Sequence, residues 1–470
     1  MSFDSVPFLL FLPAAYLVYW GLPHRSQNAF VLLASYLFYG WWDWRFLGLI
    51  ALSSAIDYRA SLGIASGRRR RLWLGASLVA NLGLLFAFKY LDFGIESFAA
   101  LLRSVGFEAH PQSLGLILPV GISFYTFQTL SYTIDVYRGR LEPTRDPIAF
   151  FAFVSFFPQL VAGPIERASH LLPQVLAPRR FCKADATDGV MQILYGLTLK
   201  IVVADRLAGT VAEAYADPHA SSGWELLVGT YAFAFQIYGD FAGYSHVALG
   251  SARLFGFDLS RNFALPYFAV NPADFWRRWH ISLSTWFRDY VYVPLGGNRR
   301  GELHRALAVI ATFALSGLWH GAGWTFVVWG LFHGLLVAIP WWGTSERLEW
   351  PLGRRALPAL RDALAVIATF HVVCIGWVFF RAASLGDALV VLERIVRSVA
   401  LEAPSLSIFE PVAWTIAAVV AWEWLQRGRQ HGLELPGASA GTRVAIALAC
   451  VLAIALGGPI ESVPFIYFQF

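Results

Sequence analysis

SGLWHGAGWTFVVWGLFHG, residues 316–334, decides how the rest of the chain is read. It joins two apolar runs, near 305–319 and 324–341, and its only ionisable groups are His320 at the join and His333 inside the second run. A membrane-crossing helix needs about 20 mostly apolar residues, and runs of this kind recur along the chain. They lie near 6–22, 28–42, 45–62, 73–90, 114–134, 187–204, 224–250, 361–380, 411–425 and 444–460. The 41–45 stretch, Trp-Trp-Asp-Trp-Arg, reads as an interfacial turn between two of them.

Composition agrees. Of 470 residues 57% are hydrophobic and 14% charged, against roughly 25% charged in ordinary soluble domains; mean hydropathy is +0.54. A soluble surface has no use for so much apolar area, whereas a bilayer does. Nineteen Trp, 18 Tyr and 38 Phe suit the aromatic belts of membrane interfaces. The net charge of +5 is mild for this length and reads as positive-inside loops, not nucleic-acid binding. Cys182, Cys374 and Cys450 have no metal-ligand spacing, so neither a zinc site nor a disulfide framework is expected. MSFDSVPF lacks a basic n-region, and the first apolar run is expected to be a retained span.

Basic clusters at 68–71, 138–145, 179–183, 299–305, 354–361 and 427–429 are expected on the cytoplasmic side. Two of them flank 148–163, a run broken by Pro158 and Gly163, so that run is expected to enter and leave on one side; such backbone survives only where protein or a cavity shields it. Both termini then fall outside the cytoplasm. The sequence thus predicts an all-α polytopic membrane protein of about 11–12 transmembrane helices plus re-entrant and interfacial helices. It shows no internal repeat and reads as one domain over 1–470.

The segment 257–304 is too polar to cross lipid. Asn271, Pro272 and Asp274 make a good helix start, and the spacing of Phe275, Trp279, Leu283, Trp286 and Tyr290 predicts a single helix to about Tyr290, lying in the interface or packed under the membrane bundle. Histidines within or beside apolar runs are functional candidates: His280, His320 and His333. His24, His110, His219 and His431 fall in predicted loops and need no role. The glycine pairs Gly317 and Gly321, Gly330 and Gly334, and Gly239 and Gly243 are spaced for close helix packing. A neutral, desolvated histidine is suited to take a proton from a hydroxyl, and His320, flanked by Trp319, Trp324 and glycines, is the best placed.

Blocks at 118–139, 156–174, 236–250, 262–299 and 316–334, with the terminal PFIYFQF, resemble the alginate O-acetyltransferase branch of the membrane-bound O-acyltransferase (MBOAT) family. The motif core spans about 118–340, followed by helices over 361–470. The resemblance implies a ring of tilted helices around a central cavity. It makes His320, in LWHGA, the catalytic histidine, and His280, in WRRWHISLS, the second active-site histidine that positions or polarises the thioester. It implies no bound cofactor or metal, and acetyl-CoA as donor. Arg277, Arg278, Arg288, Trp276, Trp319, Asp240 and Tyr244 are the expected donor-binding residues, since guanidinium groups suit phosphates. His246 and Ala242 stand where the family usually has an acid and a serine.

The function implied is O-acetylation of an exported polysaccharide at a bacterial inner membrane, directly or through a periplasmic acetyltransferase. A teichoic-acid-type D-alanyl transferase, sharing the WRRWH and WHG motifs, is one alternative. A non-enzymatic polysaccharide transporter or scaffold subunit is the other; a transporter predicts repeat symmetry, which the sequence lacks.

Overall fold

The computed structural model describes residues 1–110, 112–339, 359–458 and 463–468. The basic loop expected at Arg354 and Arg355 lies outside them, as do Gln469 and Phe470. Every regular element among the described residues is helical. The chain divides into two compact units, 1–186 with 251–260, and 187–250 with 261–470.

In the first unit the helices Val6–Trp20, His24–Gly40 and Leu47–Ala65 follow the predicted runs, with the turn at 41–43 and a 3₁₀ turn Trp44–Phe46 capped by Asp43. The expected 73–90 span is longer than its apolar run suggests. Arg70–Leu85 passes through a π turn, Phe86–Tyr90, into Leu91–Ser104, giving one rod over 70–104. The 114–134 run loses its first half to irregular backbone. Its helix, Ile122–Tyr137, starts only after Gly121, whose φ of +76° and tight approach to the Leu160 carbonyl suit glycine alone.

The expected break in 148–163 is found at Phe156, between the helices Pro147–Ser155 and Phe157–Leu160. Ser35 Oγ accepts the Phe157 N–H at 3.0 Å, and Phe150, Phe153, Phe156 and Phe157 are buried. The broken backbone is therefore enclosed by protein. The buried Asp57 carboxylate is held by Ser77, by Asn81 at 2.9 Å and by Thr133 at 3.2 Å, so hydroxyls and an amide replace water around it.

The second unit carries the two histidine motifs, at 262–299 and 316–334. Lys183–Leu197 runs into a π-helical stretch, Thr198–Ala204, and then Asp205–Ala216. Gly223–Leu254, 32 residues, is the longest helix, and its last turns, from Ser251, belong to the first unit. Gly239 and Gly243 sit against the backbone of 196–204, so a methyl group at Gly243 would stand 2.7 Å from the Gly196 carbonyl oxygen. Glu302–His320 and Trp324–Ala338 form a hairpin across a three-residue link. Gly317 and Gly330 face each other in it, each too close to the opposite helix backbone to carry a side chain. This is the close packing that small residues permit.

Leu360–Arg381, Leu385–Leu401, Glu410–Leu425 and Ala440–Gly457 complete the unit. Ala440–Gly457 is almost wholly apolar and buries no residue against protein, so its surface demands lipid. Among the described residues, four segments are by length and composition alone long and apolar enough to cross a membrane: 44–65, 70–104, 360–381 and 440–457. The other predicted runs are also helical but shorter or more polar.

Candidate active site

The single helix expected over 272–290 is two helices. Pro272–Arg278 begins as read, with Asn271 Oδ1 accepting the Asp274 N–H at 2.8 Å. It stops at Trp279, and Ile281–Phe287 starts afresh. The loop 262–264 explains the break. Asn262 O accepts the Ile281 N–H at 2.9 Å, and Ala264 N–H donates to Arg278 O at 3.0 Å, so both groups leave the helical ladder. His280 lies between them at φ +42°, ψ +55°. A non-glycine residue there costs on the order of 1–3 kcal/mol and is held by its surroundings. The apolar periodicity of this segment is real; a tertiary contact overrides it at the histidine.

His280 is fully buried. Asn262 Nδ2 donates to Ser245 Oγ at 3.1 Å, while its Oδ1 accepts from Ser282 Oγ at 2.6 Å and lies 3.3 Å from His280 Nδ1. An amide oxygen only accepts, so Nδ1 carries the proton and Nε2 presents a lone pair. Burial lowers the His280 pKa to about 3, which keeps the ring neutral.

The His320 ring lies 6.3 Å from that of His280, centre to centre. Around it stand Trp319 and Trp329 at 5.0 Å, Phe380 at 5.5 Å and Tyr467 at 5.7 Å. The two histidines thus share an aromatic enclosure drawn from four separate stretches of chain. His333 is one step removed. Its ring is 5.1 Å from Trp329, and its Nδ1 accepts the Trp276 indole N–H at 3.3 Å.

A groove of about 600 Å³ is lined by residues of both segments that carry His280 and His320, Ile281 and Ser316 among them, though by neither histidine itself. One wall carries Trp276, Arg277, Ile281, Ser284 and Arg288; the other carries Arg305, Val309, Thr312 and Ser316. The second set falls on one face of Glu302–His320, and the next position on that face is His320 itself. Eleven residues of helix separate Arg305 from Ser316, about 16 Å. Three guanidinium groups, Arg277, Arg288 and Arg305, therefore stand along a groove whose lining ends one turn from His320.

The sequence-predicted residues separate into groups. His280, His320 and Trp319 meet in the enclosure; Trp276, Arg277 and Arg288 line the groove. Arg278 does not line it: its Nε donates to Asp274 Oδ2 at 3.0 Å and its Nη1 to Ala264 O. Asp240 takes up Lys200 at 2.8 Å on one oxygen and the Ile466 N–H at 2.6 Å on the other, and Tyr244 stacks on Phe465. His246 meets Gln192 at 3.2 Å. His431 lies in a loop, as expected, and is buried there with Nε2 3.1 Å from Asp188. Sequence reasoning does not single out Asn262 or Phe380, and it places Arg305 only in a basic cytoplasmic cluster. The helical spacing 305, 309, 312, 316, 320 could have found Arg305, but no local signal marks the other two.

Among the described residues no group of three His, Cys, Asp or Glu side chains could hold a metal ion. The arrangement sets histidine nitrogens in a desolvated enclosure, with an arginine-lined groove beside it.

Residues 143–340 match the sequence model of MBOAT, the membrane-bound O-acyltransferase family. The chain is 41% identical over 395 residues to a probable alginate O-acetylase of Azotobacter vinelandii, covering 83% of this chain and 76% of that protein. It is 35% identical over 420 residues to a peptidoglycan O-acetyltransferase of Helicobacter pylori, covering 82% and 78%. Similarity to a teichoic acid D-alanyltransferase of Bacillus subtilis is lower, 29% over 292 residues, covering 58% and 72%.

Proposed function

Because this chain belongs to the membrane-bound O-acyltransferase family and is a multi-pass membrane O-acyltransferase, we propose that it moves an acetyl group from acetyl-CoA toward the hydroxyls of an exported polysaccharide. The acceptor is a sugar hydroxyl or the hydroxyl of an extracytoplasmic partner that completes the transfer, and the site of action is a bacterial inner membrane. The observation that carries this reading is the pairing of His280 and His320 at 6.3 Å inside one aromatic enclosure, with an arginine-lined groove ending a turn away.

The chemistry follows from the groups present. Arg277, Arg288 and Arg305 hold the donor's phosphates in the groove, and the pantetheine arm runs along the Thr312–Ser316 face. His320 takes the acceptor hydroxyl's proton as the oxygen attacks the thioester carbonyl. The C–S bond breaks, and the protonated His320 returns its proton to the leaving thiolate. His280 cannot donate from Nε2 while neutral, so in place of the expected polarisation of the thioester it orients the acceptor by accepting a hydrogen bond from a group other than the attacking hydroxyl, whose single proton goes to His320. The Trp and Phe rings keep water from competing as the nucleophile.

Both nearer relatives named above are O-acetyl transfer proteins by name, which favours acetyl over D-alanyl transfer. The test is purified protein in liposomes with radiolabelled acetyl-CoA and an acetylatable polysaccharide or its extracytoplasmic partner. Label should reach the acceptor in the native protein and not in His320→Ala. Transfer from a D-alanyl carrier protein with none from acetyl-CoA would overturn the reading.

A further inference from the structure

A cluster of buried charges that the transfer chemistry does not use lies in the same unit. Lys200, 1% exposed, places its Nζ 2.7 Å from Asp205 Oδ1, 2.8 Å from Asp240 Oδ1 and 2.8 Å from the Val463 carbonyl oxygen. Asp240 Oδ2 accepts the Ile466 N–H at 2.6 Å. Two of these bonds are made to the backbone of 463–466, so they fix where that segment lies whatever its side chains. The same face of Gly223–Leu254 adds aromatic contacts. Tyr244 stacks on Phe465 at 4.4 Å and 16°, and Phe241 stands 4.6 Å from both His280 and Tyr467. Lys200 itself sits in the π-helical stretch Thr198–Ala204, a departure from α-helix that recurs at functional sites.

Burying three charges is expensive, several kcal/mol per ion before pairing, and well-packed apolar side chains often do as well for stability alone. The bonds to Val463 and Ile466 give the cluster a job that apolar side chains could not do. We infer that Lys200 and Asp240 form a latch holding the segment 463–467 in the acyl-transfer site, and that Lys200 is a positioning residue acting on His320 through Tyr467. This rests on the reading of His320 as the site of transfer. The latch keeps the Tyr467 ring 5.7 Å from that of His320, where it fixes the imidazole and excludes water. Asp240 and Tyr244 then serve the segment and not the donor.

The test uses the full chain with Cys182, Cys374 and Cys450 replaced, reconstituted in liposomes, and reads acetyl transfer. Lys200→Met should lower kcat at least tenfold and leave the KM for acetyl-CoA within twofold. Tyr244→Cys with Phe465→Cys supplies two thiols that a short, reducible bifunctional thiol reagent can bridge. In Lys200→Met the bridge should restore most of the transfer that the same cysteine pair shows with Lys200 present, and reduction should abolish the rescue. Should Lys200→Met fail to insert, Asp240→Asn, which leaves Lys200 its Asp205 partner, carries the same test. Folded variants that keep full activity, or that stay inactive with the bridge closed, overturn the latch. Absence of acetyl transfer in the native chain and in the cysteine-replaced parent alike, with bridging still weakened by Lys200→Met, would instead overturn the acetyl-transfer reading and leave the latch standing.

Discussion

Ser316 and His320 stand one turn apart on the same face of Glu302–His320, and the groove that passes Arg277 and Arg288 has Ser316 in its lining. A bulky side chain at Ser316 should therefore stop a donor short of the histidine. Ser316→Phe is expected to remove acetyl transfer at least a hundredfold while leaving the protein folded, because the change enters a groove and not a packed core. Equilibrium binding of dephospho-CoA and CoA separates the outcomes. Retained CoA binding with lost transfer places the block between mouth and histidine; unchanged transfer would remove the groove from the reaction.

The three histidines should part company in kinetics. His320→Ala removes the base and is expected to cost about 10²–10⁴-fold in rate, with expression and melting temperature little changed. His280→Ala should lose less, since orienting the acceptor is easier to replace than accepting its proton. His333 bears on the groove through the Trp276 indole, 3.3 Å from its Nδ1, and meets His320 only across the Trp329 ring, so His333→Ala should raise the donor KM severalfold and spare kcat. A kcat effect at His333 larger than at His280 would reverse the assignment.

The arginines of the groove can be tested without touching the histidines. Charge-assisted hydrogen bonds contribute about 1.5–3 kcal/mol each, so Arg277→Ala or Arg288→Ala should raise the KM for acetyl-CoA roughly 10–100-fold. A short acetyl thioester lacking phosphates gives these side chains nothing to hold. Its turnover should be the same in native and substituted protein. Equal losses with both donors would mean that the arginines shape the protein and not the donor. Arg278→Ala is expected to act differently, on stability, because it breaks the 3.0 Å pair with the buried Asp274.

How much of this was legible in the sequence depends on the range of the interaction. The Asn271 cap, the break around Phe156 and the facing glycines Gly317 and Gly330 are written in local residue types, and each is found. The break at His280 is not, because its cause is Asn262, eighteen residues away, whose backbone takes Ile281 out of the ladder. Burial of His431 and the pairing of Asp240 with Lys200 depend likewise on chain far away in sequence. Motif resemblance reached His320 and His280, but which of the flanking polar residues face the groove needed coordinates.

The hairpin glycines give a stability prediction. A methyl group at Gly330 would meet the Phe313 backbone carbonyl and the Ala314 Cα, with no flexible side chain to yield. Gly330→Ala should therefore push apart the two helices that carry His320 and Trp329. Overpacking of this kind costs typically 1–3 kcal/mol, visible as a lower melting temperature in detergent and a parallel fall in transfer. Gly323→Ala meets nothing closer than 3.5 Å and should be nearly silent by the same measurements.

The last prediction concerns pH and the cysteines. Burial brings the His280 pKa down to about 3, against about 6.5 in an unfolded chain. Between those values the unfolded chain binds the proton and the folded one does not, so stability falls as pH drops from about 6.5 toward 3. The slope approaches 1.4 kcal/mol per pH unit. Above 6.5 neither state binds it and the contribution is flat. Acetyl transfer should accordingly be level around neutrality and decline only in acid, together with the melting temperature; His280→Asn should flatten the acid side of the stability curve. A cysteine nucleophile would behave otherwise, losing rate below about pH 8.5 as its thiol protonates. The geometry argues against one. Cys182 is exposed, Cys374 is buried, and Cys450 lines an apolar cavity of about 620 Å³ with Tyr195 and Trp422, and none of the three is among the rings that enclose His320. Replacing all three should leave transfer and its pH profile intact in well-folded protein. Loss of activity there, with His320→Ala still active, would point to an acyl-thiol intermediate and displace His320 as the base.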